Sequence, residues 1–238
     1  MKYPPIVILH GWNLSAQSYT NLVNLLSSKG FTVYVPDFPG FGKEKLPQKP
    51  YNTDNYVEFL ESYLNKKNIK KCIIIGHSFG GRVGIKFIAK NPETVEKLIL
   101  TGVPGVTPSS KTKILVFRFL AKVGKAIFSL PLLNVLFPLA RKVLYQAIKE
   151  TDYFKTEGVM RETFKKIISE DLTFAMNKIT CPTILVWGEK DMITPVWIAK
   201  KMARLIGNSE LMVVHEEGHS FIYKNPELFV KEFINYVK

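Results

Sequence analysis

Residues 73–81 read Ile-Ile-Ile-Gly-His-Ser-Phe-Gly-Gly, an apolar run of strand length followed by the spacing Gly-x-Ser-x-Gly around Ser78 and then by a helical pattern up to Lys90. Where a buried strand turns sharply into a helix, glycines let the two backbones pack closely. The serine between them is then held proud of the sheet in strained backbone geometry. The chemistry such a residue offers is nucleophilic attack on an acyl carbon. A serine hydroxyl is a weak nucleophile near neutral pH, so it needs a base within hydrogen-bond reach and a carboxylate to orient that base. Four histidines are available: His10, His77, His215 and His219. Attack on a carbonyl also builds an oxyanion that preorganised donors must meet. The backbone N–H of Phe79 is one such donor, because it opens the helix after the turn, where the helix dipole favours negative charge.

The elements that must position these groups alternate along the chain. Apolar runs rich in Ile and Val recur at 5–9, 31–35, 72–75, 97–101, 183–187 and 211–215. They are apolar on both faces, as strands of a parallel sheet covered on both sides are. Segments of helical period lie between them at 16–28, 53–67, 80–90 and 195–205, and Asn225-Pro226 opens a last helix carrying Leu228, Phe229, Phe233 and Val237 at core spacing. The expected architecture is α/β: a mostly parallel sheet of about six strands with helices on both faces. The alternation fails between Val103 and Ala175, where helical patterns occur without a convincing strand. Pro104, Gly105 and Pro108 open this stretch, and Cys181-Pro182 precede the next strand. The expected organisation is a core of residues 1–103 and 176–238 with a helical insertion over 104–175.

Composition narrows the function. The chain has 238 residues, 46% hydrophobic and 22% charged, enough for a buried core and unlike a disordered or fibrous protein. Its two cysteines, Cys72 and Cys181, each border an apolar run, so no disulfide framework is expected and a reducing cytoplasm is the default location. No signal peptide or membrane-spanning run is read. The longest uncharged stretch, 126–140, is broken by Pro131 and Pro138 and is too short to span a bilayer. Thirty-three Lys and Arg against twenty Asp and Glu give a net charge of +13. The lysines are spread along the chain and no recognition motif accompanies them, so no nucleic-acid partner is expected. No Asp or Glu occurs from Lys97 through Lys149, and Arg118, Lys122 and Lys125 share one helical face beside Leu115, Phe117, Phe119 and Val123. A weak contact of this segment with an anionic membrane or an acidic carrier protein is therefore an expectation to test. No cluster of histidines and carboxylates has metal-ligand spacing in the sequence, and no cofactor or metal is expected.

The turn around Ser78, in this strand and helix setting, resembles the α/β-hydrolase superfamily, and most of the chain is similar to its lid-bearing serine esterase branch. Further matches are His10-Gly11-Trp12-Asn13 after the first strand and the loop Asp37 to Gly42, read as structural although Lys43 replaces a common serine. The resemblance implies His219 as the base, on the loop before the last helix. It implies Asp191 as the acid, within Gly188-Glu189-Lys190-Asp191, with Glu189 the nearest rival. The order Ser78, Asp191, His219 is that of the fold. The backbone N–H of Trp12 is implied as the second oxyanion donor, and residues 104–175 as a lid over Ser78. Serine in the nucleophile position disfavours the dehalogenase and epoxide hydrolase branches, which use aspartate. Ser220 stands where C–C hydrolases of the family commonly carry tryptophan, and Asn13 where perhydrolase-type relatives often carry proline. What the resemblance leaves is hydrolysis of a small carboxylic ester, of short to medium acyl chain or of monoacylglycerol type. A thioesterase or carrier-bound acyl esterase, a C–C hydrolase and a ligand receptor retaining the triad stand as alternatives.

Overall fold

A computed structural model describes residues 3–106 and 157–237. Six strands form one sheet: β1 (Ile6–Leu9), β2 (Val33–Tyr34), β3 (Cys72–His77), β4 (Val95–Thr101), β5 (Thr183–Gly188) and β6 (Ser209–Val214). Their order is β2-β1-β3-β4-β5-β6, and every pairing is parallel. The helices are α1 (Thr20–Ser28), α2 (Thr53–Lys66), α3 (Phe79–Lys90), α4 (Gly158–Ser169), α5 (Thr173–Met176), α6 (Val196–Leu205), α7 (Phe221–Lys224) and α8 (Pro226–Val237).

The strands are apolar at successive positions because each face of the sheet has its own core. Val7, Leu9, Ile74, Leu98, Leu100, Leu185 and Trp187 point to one side, where α2, α3, α4 and α6 pack. Their alternating neighbours Ile6, Ile8, Ile73, Ile75, Ile99, Ile184 and Val186 point to the other, against α1, α7 and α8. Each such side chain, withdrawn fully from water, contributes about 1.5–3 kcal/mol before the entropy of ordering is charged against it. Cys72 and Cys181 are buried free thiols, and burial pushes the Cys72 thiol up to about 12.

Two elements differ from the sequence expectation. The second strand shortens to Val33–Tyr34, since it lies at the sheet edge with Pro36 close behind, where a missing N–H ends pairing. The helix expected over 16–28 begins as a 3-10 turn, Ala16–Tyr19, before the α-helix starts at Thr20.

Of the expected insertion, residues 104–106 and 157–175 are described. Their helix α4 buries Met160 and Ile167 in the core on the α3 side of the sheet. The buried Arg82 guanidinium of α3 ties the two ends of this stretch, donating to the carbonyls of Pro104, Ile167 and Glu170. Burial lowers its pKa to about 10. The amide of Leu172 adds a bond to Gly105 O at 3.1 Å. The Arg118, Lys122 and Lys125 stripe lies outside the described residues. Among the described residues no helix is long and apolar enough to cross a membrane.

Candidate active site

Ser78, Trp12, Asp191 and His219 all follow the carboxyl ends of strands, which is where open parallel sheets place their ligands. Ser78 joins β3 to α3 with φ 51° and ψ −116°, a backbone conformation that L-residues rarely adopt. The turn is tight enough to exclude side chains beside it. A Cβ on Gly76 would approach the Gly81 Cα to 2.6 Å, and one on Gly80 would overlap the carbonyl of Leu9. That contact also brings the start of α3 against the end of β1. The rings of Trp12 and Phe79 meet at 5.3 Å, edge to face, so the two residues expected to supply oxyanion amides are neighbours.

Asp191 is 2% exposed and its carboxylate is saturated with donors. Oδ1 accepts the backbone N–H groups of Ile193 (2.9 Å) and Thr194 (2.7 Å). Oδ2 accepts the Thr194 hydroxyl at 2.6 Å and His219 Nδ1–H at 2.8 Å. With the hydrogen on Nδ1, the other ring nitrogen of His219 keeps its lone pair. The loops that carry acid and base are themselves joined: Lys190 N donates to Glu217 O at 2.8 Å, and Glu189 N to Val214 O at 2.9 Å. Trp187 fixes the acid loop from below through Nε1–H to Thr194 O at 2.6 Å.

The His219 ring lies against Gly102, just past the end of β4. Ser78 N donates to Thr101 O at 2.9 Å, and the next residue, Gly102, has φ 61°. A side chain there would press on the ring, its Cβ only 2.8 Å from His219 Cε1. Glycine is required at position 102 on both counts. His77, beside the serine, holds the backbone of His219 by a 3.2 Å bond from Nε2 to the carbonyl oxygen.

The other histidines are accounted for differently. His10 is fully buried; its Nδ1–H donates to Gly11 O at 2.8 Å and its Nε2 accepts Phe38 N–H at 3.0 Å, which holds the ring neutral and shapes the loop before Trp12. His215 is exposed and pairs with Glu189 at 2.6 Å, so the rival acid and the rival histidine sit together on the surface, away from Asp191 and His219. Glu189, His215 and Glu216 are the one grouping of metal-capable side chains among the described residues, and Glu216 is engaged by Lys190. The sequence separation of residues 189 and 215 hides this grouping from a spacing argument.

Burial lowers the pKa of His10 to about 4 and that of His77 well below its ordinary value. A base whose folded pKa lies below its unfolded one leaves the native state with fewer protons. Stability is therefore complete above the unfolded value and is lost as pH falls toward the folded one. From pH 7.5 to pH 5, His10 alone should cost about 2 kcal/mol, taking an unfolded pKa of about 6.5. Urea unfolding at the two pH values checks this, and an unchanged midpoint would contradict it.

Comparison with known proteins agrees with this fold. Residues 4–125 match the family model described as alpha/beta hydrolase fold, and residues 169–236 match one described as TAP-like protein. The chain belongs to the alpha/beta hydrolase fold family. Among curated relatives of this alpha/beta hydrolase, the AB hydrolase superfamily protein YisY of Bacillus subtilis is 27% identical, over 94% of this chain and 87% of that protein. The monoacylglycerol lipase ABHD6 of Bos taurus is 25% identical, over 98% and 75%. Among solved structures, the esterase EaEST from Exiguobacterium antarcticum superposes with a TM-score of 0.75 at 24% identity, covering 98% of this chain and 91% of that one, and shows the shared fold.

Three residues of the site escape a reading of the sequence for chemistry. Thr194 reads as a helix opener, yet its hydroxyl bonds the acid; the Asp-x-x-Thr spacing of a side-chain-capped turn is the signal that could have found it. Gly102 carries no signal beyond being a glycine after a strand. Tyr19 reads as one more apolar residue of a helix, yet its hydroxyl lies 2.7 Å from His77 Nδ1.

Proposed function

We propose that this alpha/beta hydrolase cleaves carboxylic esters through an acyl-enzyme on Ser78. The observation that carries the proposal is the pairing of a serine at φ 51° with a buried Asp191 bonded to a half-buried His219, whose ring lies against Gly102. His219 Nε2 takes the Ser78 proton as Oγ bonds to the ester carbonyl carbon. The N–H groups of Trp12 and Phe79 receive the negative oxygen. Collapse breaks the bond to the alcohol, which leaves with the proton from His219. Water, deprotonated by the same nitrogen, then releases the acid and restores Ser78. Asp191, acceptor only, keeps the hydrogen on Nδ1 and steadies the imidazolium.

Residues 104–175 are assigned in this reading as the lid, for the acyl or alcohol part of the substrate. Its described helix α4 supports that role: Phe164 meets the Trp12 ring at 4.9 Å, and Met160 packs over Gly40. The substrate class follows from the chain's departures from other branches, above all Ser220 in place of a tryptophan after His219. A monoacylglycerol is the natural lipid candidate, given the activity named for the bovine relative.

A panel of p-nitrophenyl esters from acetate to laurate, with a monoacylglycerol and an acyl thioester alongside, tests the assignment. Steady turnover of the oxygen esters, falling at the long end, is expected. Thioester turnover well above that of the matched ester would replace it with a thioesterase, and labelling of Ser78 without any turnover would replace it with a ligand receptor.

A further inference from the structure

The loop that precedes the Trp12 amide and the backbone of His219 are joined through one side-chain pair. Gly11 N–H donates to the Tyr19 hydroxyl oxygen at 3.0 Å. That oxygen lies 2.7 Å from His77 Nδ1, and His77 Nε2 lies 3.2 Å from the His219 carbonyl oxygen. A carbonyl only accepts, so the hydrogen of the neutral ring sits on Nε2 and the lone pair on Nδ1. The Tyr19 hydroxyl must then accept from Gly11 and donate to His77. Every bond has one direction: Gly11 to Tyr19, Tyr19 to His77, His77 to His219. Tyr19 is fully buried and His77 2% exposed, which leaves no water to substitute for a lost partner. Burial raises the tyrosine and lowers the histidine, so both stay neutral across the working range. Tyr223 meets both rings edge to face and holds their planes.

We propose that Tyr19 and His77 are positioning residues for the hydrolysis, setting the spacing between the Trp12 amide and the His219 imidazole so that both reach Ser78 together. The proposal rests on the assignment of Ser78, Asp191 and His219 made above. It adds that the two loops do not hold this spacing by themselves. Residues 11, 77 and 219 come from three separate strand ends, and the pair is a direct bridge across them. A misplacement of about 1 Å between reacting groups costs about a hundredfold in rate, so a bridge that only adjusts spacing has a kinetic signature.

Tyr19→Phe keeps the ring and removes the one hydroxyl, leaving Gly11 N–H and His77 Nδ1 without partners. Competent sites are first counted by stoichiometric reaction with an organophosphonate, so that kcat refers to folded enzyme. The expected result is kcat about 10- to 100-fold lower with KM within about twofold, since spacing acts in the transition state and not on ester binding. Nitrogen-15 spectra of histidine-labelled wild-type enzyme should show His77 neutral, with hydrogen on Nε2, from pH 5.5 to 8. A kcat within twofold of wild type, a raised KM at unchanged kcat, or a His77 carrying its hydrogen on Nδ1 would each overturn the proposal. The spectrum decides the matter even where the variant fails to fold. Full activity in Ser78→Ala would remove the underlying triad and this proposal with it, whereas a dead Ser78→Ala beside a fully active Tyr19→Phe overturns the positioning role alone.

Discussion

Alanine in place of Ser78 is expected to lower ester kcat by about five to six orders of magnitude, the scale of loss when a serine nucleophile is removed from an intact triad. Ser78→Ala keeps the Cβ that already occupies the elbow, so the backbone at φ 51° and the packing of Gly76 against Gly81 persist. Only the oxygen goes. What remains is substrate binding and the oxyanion donors, which together leave about a thousandfold advantage over water. Initial rates on p-nitrophenyl butyrate measure the loss, and circular dichroism checks the fold. A loss below tenfold in a folded variant would contradict the nucleophile assignment.

The second large effect separates the Asp191–His219 couple from its exposed imitation. Asp191→Asn conserves size, and its amide oxygen can still take the N–H groups of Ile193 and Thr194. Its NH2 would then face His219, forcing the ring hydrogen onto the nitrogen that must accept the serine proton. A fall of about 10⁴ in kcat is expected, and a fall of 10⁵ or more, on the order of the nucleophile loss, for His219→Gln. Glu189→Gln and His215→Gln remove a surface pair whose members are about half and four-fifths exposed. Such pairs contribute little, so kcat should stay within about threefold. A large loss at Glu189 with a small one at Asp191 would reverse the roles.

How much of this is legible in the sequence follows from how local each feature is. Inner strands covered on both faces are apolar along their length, so Ile6–Leu9 and Cys72–Ile75 are plain, and the β2-β1-β3-β4-β5-β6 order realises the expected parallel sheet. The elbow is legible because its requirement, no side chain at 76 and 80, is written in adjacent residues. Asp191 and His219 could be chosen only by resemblance, since four histidines and several acids compete on composition alone. Tertiary contact separates them: Asp191 is buried under four donors while Glu189 faces solvent with His215. Arg82 is the opposite case. It reads as a polar position on a helix, and only the return of α4 onto α3 turns it into a buried tie among three carbonyls.

The acyl-enzyme itself is the claim on which the rest depends, and a fluorophosphonate ester tests it in one measurement, by intact mass and peptide mapping of the labelled protein. The account predicts one adduct per chain, located on Ser78, formed slowly in Asp191→Asn and absent in Ser78→Ala. An adduct on another residue, or labelling that persists undiminished in Ser78→Ala, would contradict it.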